Sequence, residues 1–308
     1  MPYLESFTLV QLKYFMAVAE HKSMTVASGA LHLSQSTLSA SILKLEKQLD
    51  VTLFIRDARK GLKLTNEGEL LLHESYKLFA QVRTLHDKIL EQSGSEYGEL
   101  NIGCFSSFAP RYMPLLVKSF SREFPHLRIN IIEGTLEELF GYLSERKCDL
   151  VICYDPGDNA EYEKILIKSN TPKILVSENH QHALKEKADL ADFIDDPMIM
   201  LDVPHSRDYF QRILSAVGSQ PRIGFTTNNY ETLRSLVAHN LGYAITTQDA
   251  TSDQLSYDDR KLRYLDIRQS LPPINMVFLK LRVLPLPKRV YIFIQHALTL
   301  LQERDLSS

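Results

Sequence analysis

The feature that most constrains this chain is the stretch after Ser34, where Leu38, Ile42, Leu45 and Leu49 recur at spacings of four, three and four, the period of one helical face. The other side carries Gln35, Ser36, Thr37, Ser39, Ser41 and Lys44, small polar groups and one cation rather than a second apolar stripe. Such a helix is buried along one side and meets a polar partner with the other. Upstream, Thr8 with Gln11 reads as a capping box, and Leu9, Leu12, Phe15, Met16 and Ala19 follow at helical spacing toward a core. His21-Lys22-Ser23 interrupts, and Ser23 is a natural cap for a second short helix, Met24 to Leu31. Two short helices, a tight turn and a third helix with a small polar face match the helix-turn-helix pattern. Small residues at a helix start approach base edges closely, and the exposed N–H groups there suit phosphate.

Phe54 to Leu64 then predicts two short strands around Arg56-Asp57-Ala58-Arg59-Lys60-Gly61, with Lys63 just beyond. A basic hairpin of this kind tracks a DNA backbone or enters a minor groove. A plain three-helix domain with a solvated charged loop competes with this reading. The succession of cap, polar face and basic wing favours DNA.

Charge distribution agrees. Residues 1–66 hold eight Lys/Arg against five acids, a balance of +3, so the overall −3 leaves −6 on the remaining 242 residues. A small basic head on a larger acidic body fits a DNA-binding module joined to something else. With 44% hydrophobic and 24% charged residues in 308, the chain can bury sizeable cores and is not disordered or low-complexity. No apolar run approaches the roughly 18 residues of a membrane span. The opening MPYLESFTLVQ lacks a secretory pattern, and Cys104, Cys148 and Cys153 form no CxxC pair, so a cytoplasmic protein with no membrane partner is expected.

The run Ala30-Leu31-His32-Leu33-Ser34-Gln35-Ser36-Thr37-Leu38-Ser39, followed by Ile42, Leu45-Glu46, Leu49, Leu53-Phe54, Arg56, Leu64-Thr65 and Gly68, resembles the LysR-type transcriptional regulators. The resemblance is dense over about 60 residues and implies a bacterial homo-oligomeric regulator that binds a pseudo-palindromic double-stranded operator. On this chain the DNA contacts would fall on Ser34, Gln35, Ser36, Thr37, Ser39, Ser41 and Lys44, and on Arg56, Arg59, Lys60 and Lys63. Two departures stand out. Gly29 occupies a second-helix position where the family often has Ala, and Ala40 one where it commonly has Arg. Whatever contact that Arg makes cannot be carried over.

A long helix follows a cap at Thr65 or Asn66, with Glu67 and Glu69 in its favoured first turn. Leu71, Ser75, Leu78, Val82, Leu85 and Ile89 alternate at four and three, an a/d seam suited to pairing. The resemblance implies a dimerisation helix, with dimer and tetramer both open; packing on its own domain is the alternative. Gln92 to Glu99 reads as a hinge.

From Leu100 the rhythm changes to alternating strands and helices, which suggests parallel α/β layers. Two such halves, with the chain crossing twice, resemble a periplasmic-binding-protein-like effector domain. The expected fold is therefore multi-domain. An all-α winged helix-turn-helix head spans residues 1–66, a linker helix 67–92, a hinge 93–99 and a two-lobed α/β effector domain 100–308. Lobe I covers about 100–167 and 272–308, and lobe II about 168–271. Ligands in open α/β layers sit beyond strand ends against helix starts. The candidates there are Ser106, Ser107, Thr135, Tyr154, Asp155, Asp202, Ser206, Arg207, Thr226, Thr227 and Thr246. The Ser106/Ser107 pair would grip an anionic or carbonyl group and Arg207 a carboxylate, while Glu133, Asp155 and Asp202 could greet an ammonium. A helix-capping role competes for each hydroxyl. A carboxylate or amino-acid-like effector is expected, with RNA polymerase as a further partner and no cofactor or metal.

Two other classes compete. An α/β enzyme would need a nucleophile beside a base, and no GxSxG, Walker loop or GxGxxG is present, so no catalytic residue is expected. His180 and His182 lie in a polar stretch and read as solvated. A thiol redox sensor would use Cys104 with Cys153 at adjacent strand ends, since Cys148 and Cys153 lie an odd number apart and point to opposite faces. Buried structural thiols are the reading preferred here.

Overall fold

A computed structural model describes residues 7–57, 61–92, 98–216, 218, 220–248, 254–282 and 286–306. The chain divides into two compact units, one holding residues 1–94 with 145–147, the other 95–144 with 148–308.

The first unit opens with α1 (Leu9–His21), α2 (Met24–Ala30) and α3 (Gln35–Leu49). Each start is capped by a hydroxyl. Thr8 and Gln11 form the reciprocal box, Ser23 Oγ accepts from Val26 N–H, and Ser34 Oγ accepts from Thr37 N–H at 3.1 Å. The core is Leu12, Phe15, Val18, Ala27, Leu38, Ile42, Leu45 and Leu53. Leu9, expected inward, is 44% exposed, because position 9 opens the first turn before the helix reaches its neighbours. Val18, not anticipated, is fully buried.

Strands β1 (Phe54–Asp57) and β2 (Gly61–Leu64) pair antiparallel, with Phe54 opposite Leu64, as a wing. Glu46 Oε1 accepts from Leu53 N–H at 2.7 Å and fixes the wing's root to α3. Helix α4 (Asn66–Gln92) starts beneath it, where Gly68 N–H donates to Thr65 Oγ1. Gly68 is required there: a Cβ would stand 2.4 Å from the carbonyl oxygen of Leu53.

The second unit carries two lobes. Lobe I is a five-stranded sheet ordered β4-β3-β5-β13-β6, from β3 (Gly98–Phe105), β4 (Leu127–Gly134), β5 (Leu150–Tyr154), β6 (Tyr162–Asn170) and β13 (Ile274–Leu281). Helices α5 (Ala109–Glu123), α6 (Leu136–Ser144) and α9 (Lys288–Leu306) contribute buried faces to its core, among them Leu116, Phe120, Leu139, Phe293 and Ala297. Lobe II holds a four-stranded sheet ordered β11-β7-β12-β8, from β7 (Lys173–Ser177), β8 (Lys187–Ala188), β11 (Ala244–Thr246) and β12 (Leu262–Ile267). It also holds the parallel pair β9 (Met198–Leu201) and β10 (Ile223–Thr227), with helices α7 (Pro204–Ala216) and α8 (Tyr230–Ala238).

The sheets are mixed, not parallel. β3, β4 and β5 run parallel, but β13 is antiparallel to both β5 and β6, and β7 is antiparallel to β11 and β12. Three strands escape the sequence pattern, the two-residue β8 among them. β6, Tyr162–Asn170, interleaves Lys164 and Lys168 with apolar residues, and β12 carries Arg263 and Asp266.

Candidate functional site

In the head, α3 presents Gln35, Ser36, Thr37 and Lys44 to solvent. Ser34 serves as the cap, its Oγ 2.9 Å from Ser36 Oγ and 2.7 Å from Thr37 Oγ1, so the first turn is a connected hydroxyl cluster. Ser39 and Ser41 are half-buried flanks of this face, whereas Ala40 and Leu43 lie fully on it, Leu43 being 62% exposed. Lys63 on β2 is exposed; Arg59, Lys60 and the side chain of Arg56 lie outside the described residues.

The α4 seam divides. Leu71 and Leu78 pack, with Leu72 and Phe79, against the head's own core, and Ser75 is buried among them. Tyr76 OH donates to Glu20 Oε1 at 2.6 Å, holding α4 on α1. Beyond this Val82, Leu85 and Ile89 are exposed at 38%, 61% and 61%. The expected continuous stripe is thus half intradomain core and half exposed apolar surface.

In the second unit six of the eleven proposed effector residues fall around two cavities. A cavity of about 490 Å³ is lined by Ser106, Ser107, Pro110, Arg111, Glu133 and Thr135 from lobe I and by Asn228, Tyr230, Glu231 and Gln248 from lobe II. Ser106 and Ser107 do not cap α5, whose cap position is Phe108 with no side-chain bond. Gln248 Nε2 donates to the Ser107 carbonyl at 2.8 Å, a link between the lobes at the cavity wall. Thr135 is committed as a cap: Glu138 Oε2 accepts from its N–H at 2.8 Å and its hydroxyl at 2.9 Å.

Tyr154, Asp155 and Ser206 line a different cavity of about 1290 Å³, with Asp208, Arg212 and Thr247. Tyr154 OH bonds Thr247 Oγ1 at 2.7 Å, and burial pushes the phenol well above its ordinary pKa. Asp155 accepts from Lys164 Nζ at 2.9 Å.

The remaining candidates line neither cavity. Arg207, expected to clamp a carboxylate, already holds Asp202 through its Nε at 2.6 Å, so the cation and the acid assigned opposite roles neutralise each other. Thr227 Oγ1 accepts from Asn229 N–H in a turn, and Thr246 Oγ1, 2% exposed in residue terms, meets Tyr230 OH at 2.9 Å. Thr226 is exposed on β10. Arg111, Glu231 and Gln248 are among the cavity residues that the sequence reading missed. Arg111 sits one turn into a helix behind a serine pair, a signal available in principle; Gln248 follows a strand end by two residues and carries no pattern.

Of the two histidines read as solvated, His180 is not, and His182 is half-buried. His180 is 6% exposed at its side chain, stacked on Phe193 with ring centroids 5.4 Å apart. Its Nδ1 accepts from His182 N–H at 3.2 Å and its Nε2 lies 3.3 Å from Asp196 Oδ2. Burial lowers its pKa more than Asp196 raises it. The three cysteines are buried and in no disulfide, and burial drives the Cys104 and Cys153 thiols far above their usual pKa. Cys104 stands opposite Ile152 in the β3–β5 register, which turns Cys153 to the other face of the sheet, so the pair expected at adjacent strand ends is not aligned for a bond.

Comparison with known proteins agrees with this architecture. The profile of the LysR substrate binding domain matches residues 93–302, and that of the bacterial regulatory helix-turn-helix protein, lysR family, matches residues 9–69. The uncharacterized HTH-type transcriptional regulator YvbU of Bacillus subtilis (strain 168) is 31% identical over 80% of this chain and 83% of its own length. The DNA-binding transcriptional dual regulator OxyR of Escherichia coli (strain K12) is 28% identical over 76% and 77%. Among solved structures, HinK of Pseudomonas aeruginosa, a LysR family regulator, is similar with a TM-score of 0.63 at 28% identity, covering 96% of this chain and 98% of that one. Full-length CbnR in complex with its target DNA shares the fold, with a TM-score of 0.70 at 20% identity over 94% and 99%. With the two family profiles together spanning nearly the whole chain and a relative 31% identical over 80% of it, the chain belongs to the LysR family of DNA-binding transcriptional regulators.

Proposed function

We propose that this regulator responds to a small carboxylate or amino-acid-like molecule held in the cavity that Ser106, Ser107, Arg111 and Glu133 share with Gln248 and Glu231. The observation that carries this reading is that both lobes contribute polar side chains to one cavity of about 490 Å³, a size common for small-molecule sites. Arg111 offers a charge-assisted partner for a carboxylate, the serine hydroxyls donate beside it, and the two glutamates suit an ammonium. A ligand touching both lobes shifts their arrangement only as far as it binds one arrangement better than another.

In the same reading, the first turn of α3 with Lys44 reads base edges, and Lys63 with the wing residues Arg56, Arg59 and Lys60 holds phosphates. The exposed Val82, Leu85 and Ile89 pair with a second copy, and two heads then meet a pseudo-palindromic operator. RNA polymerase is the downstream partner.

Replacing Ser106 and Arg111 by alanine in the full chain should raise the effector concentration needed for a transcriptional response and leave operator binding without effector unchanged. An unchanged dose–response to the native effector would refute the assignment of the cavity. For the head, Lys44→Ala with Arg59→Ala should weaken operator binding and flatten its dependence on salt.

A further inference from the structure

Across the joint of α5 and α9, away from both interlobe cavities, three side chains meet in a fixed order. His296 Nε2 lies 2.9 Å from Ser119 Oγ, and His296 Nδ1 lies 3.0 Å from Glu123 Oε2. An ionised carboxylate only accepts, so Glu123 takes the Nδ1–H. With that tautomer of the neutral imidazole, the lone pair of Nε2 accepts from the Ser119 hydroxyl. This polarity places a base on a nucleophile and an orienting acid on the base. The imidazole is held edge-on against Phe120, centroids 5.5 Å apart at 79°, and its side chain keeps 16% exposure. A groove of about 490 Å³ opens over the three groups, walled by Phe124, Tyr291 and Ile292, with the Gln295 amide alongside.

We propose that Ser119, His296 and Glu123 form a nucleophilic triad that takes acyl groups from small aromatic carboxylic esters bound in this groove. Ser119 Oγ attacks the ester carbonyl carbon as its proton passes to His296 Nε2. The carbon–oxygen bond to the leaving group breaks, and His296 returns the proton to the departing alkoxide or phenoxide. Water, giving a proton to the same nitrogen, then attacks the acyl carbon; the bond to Ser119 Oγ breaks, Oγ takes that proton back from His296, and the carboxylic acid leaves, so ester and water become acid and alcohol with no change of oxidation state. Backbone N–H groups around Ser119 are committed to the helix, which leaves the Gln295 amide as the donor for the oxyanion. One donor in an open groove makes turnover slow beside dedicated hydrolases, and the acyl-serine accumulates.

The test uses the full chain with p-nitrophenyl acetate and a fluorophosphonate probe, followed by peptide mass analysis. The expected result is a nitrophenol burst and a phosphonyl adduct on Ser119. Ser119→Ala should abolish both, and Ser119→Cys should restore the burst as a thioester. His296→Asn should slow acylation by about a hundredfold, the scale of a lost general base. Operator binding and thermal stability of each variant separate loss of chemistry from loss of fold. A wild-type chain that labels Ser119 no more than its heat-denatured form overturns the proposal, as does a Ser119→Ala chain that hydrolyses the ester as fast as wild type.

Discussion

Tyr154, at the end of lobe I's central strand, shares a 2.7 Å hydrogen bond with Thr247 of lobe II, and both residues are buried at 8% and 6% exposure. Gln248, the next residue, bonds the Ser107 carbonyl. The two lobes are therefore tied side by side at consecutive positions on one strand exit. Tyr154→Phe leaves the Thr247 hydroxyl without this partner in a buried setting, at a cost of about 1–3 kcal/mol. Thermal unfolding should shift down accordingly. Because the tie bridges the lobes, the variant's effector dose–response should also shift, which a purely local packing defect would not produce.

Gly29 lies exposed within α2, with nothing inside 4 Å of where a Cβ would stand. Gly29→Ala should stabilise the chain by about 0.5–1 kcal/mol through helix propensity and a less mobile unfolded state. A rise in the denaturant midpoint without a change in slope would register it. Unchanged operator affinity would place the gain in α2 alone.

His180 is held neutral in the fold: its lowered pKa means that the unfolded chain binds a proton more readily. Stability is then fully present above the unfolded histidine pKa, about 6.5. It is lost as pH falls below that value toward the folded pKa. Between pH 7.5 and 5.5 the unfolding midpoint should drop, and His180→Gln should flatten that part of the profile.

Burial of all three thiols, with the pKa of Cys104 and of Cys153 raised, predicts little reactivity at neutral pH. Peroxide should leave the chain's non-reducing electrophoretic mobility unchanged, and a thiol-specific label should reach Cys104, Cys148 and Cys153 only after denaturation. A mobility shift lost in Cys153→Ser would show that a disulfide forms despite the register.

What could be read from sequence tracks how local the governing interaction is. Thr8, Ser23 and Ser34 act within three residues of themselves, so their caps are legible, and so is the alternation of Leu38, Ile42 and Leu45. The strand Tyr162–Asn170 was not, because its lysines sit among apolar residues and β13, with which it pairs, begins more than 100 residues later. Candidate site residues fared by the same rule. Ser106 and Ser107 reach the cavity because a strand end and a helix start fix them locally. Arg207 does not, since Asp202, five residues away, captures it across a turn that the sequence pattern leaves open. The seam on α4 divides because the head's core, built from distant segments, claims Leu71 and Leu78.

The place of β13 in lobe I has a consequence for how the chain comes off the ribosome. Among the described strands, β6 pairs only with β13, and β13 also closes the edge of β5. Until residue 281 has emerged, the nascent lobe I holds three parallel strands and a fourth with its ladder groups unmet. Lobe II, whose strands all lie between residues 173 and 267, can be complete before that moment. The lobe that begins first in the chain thus finishes last.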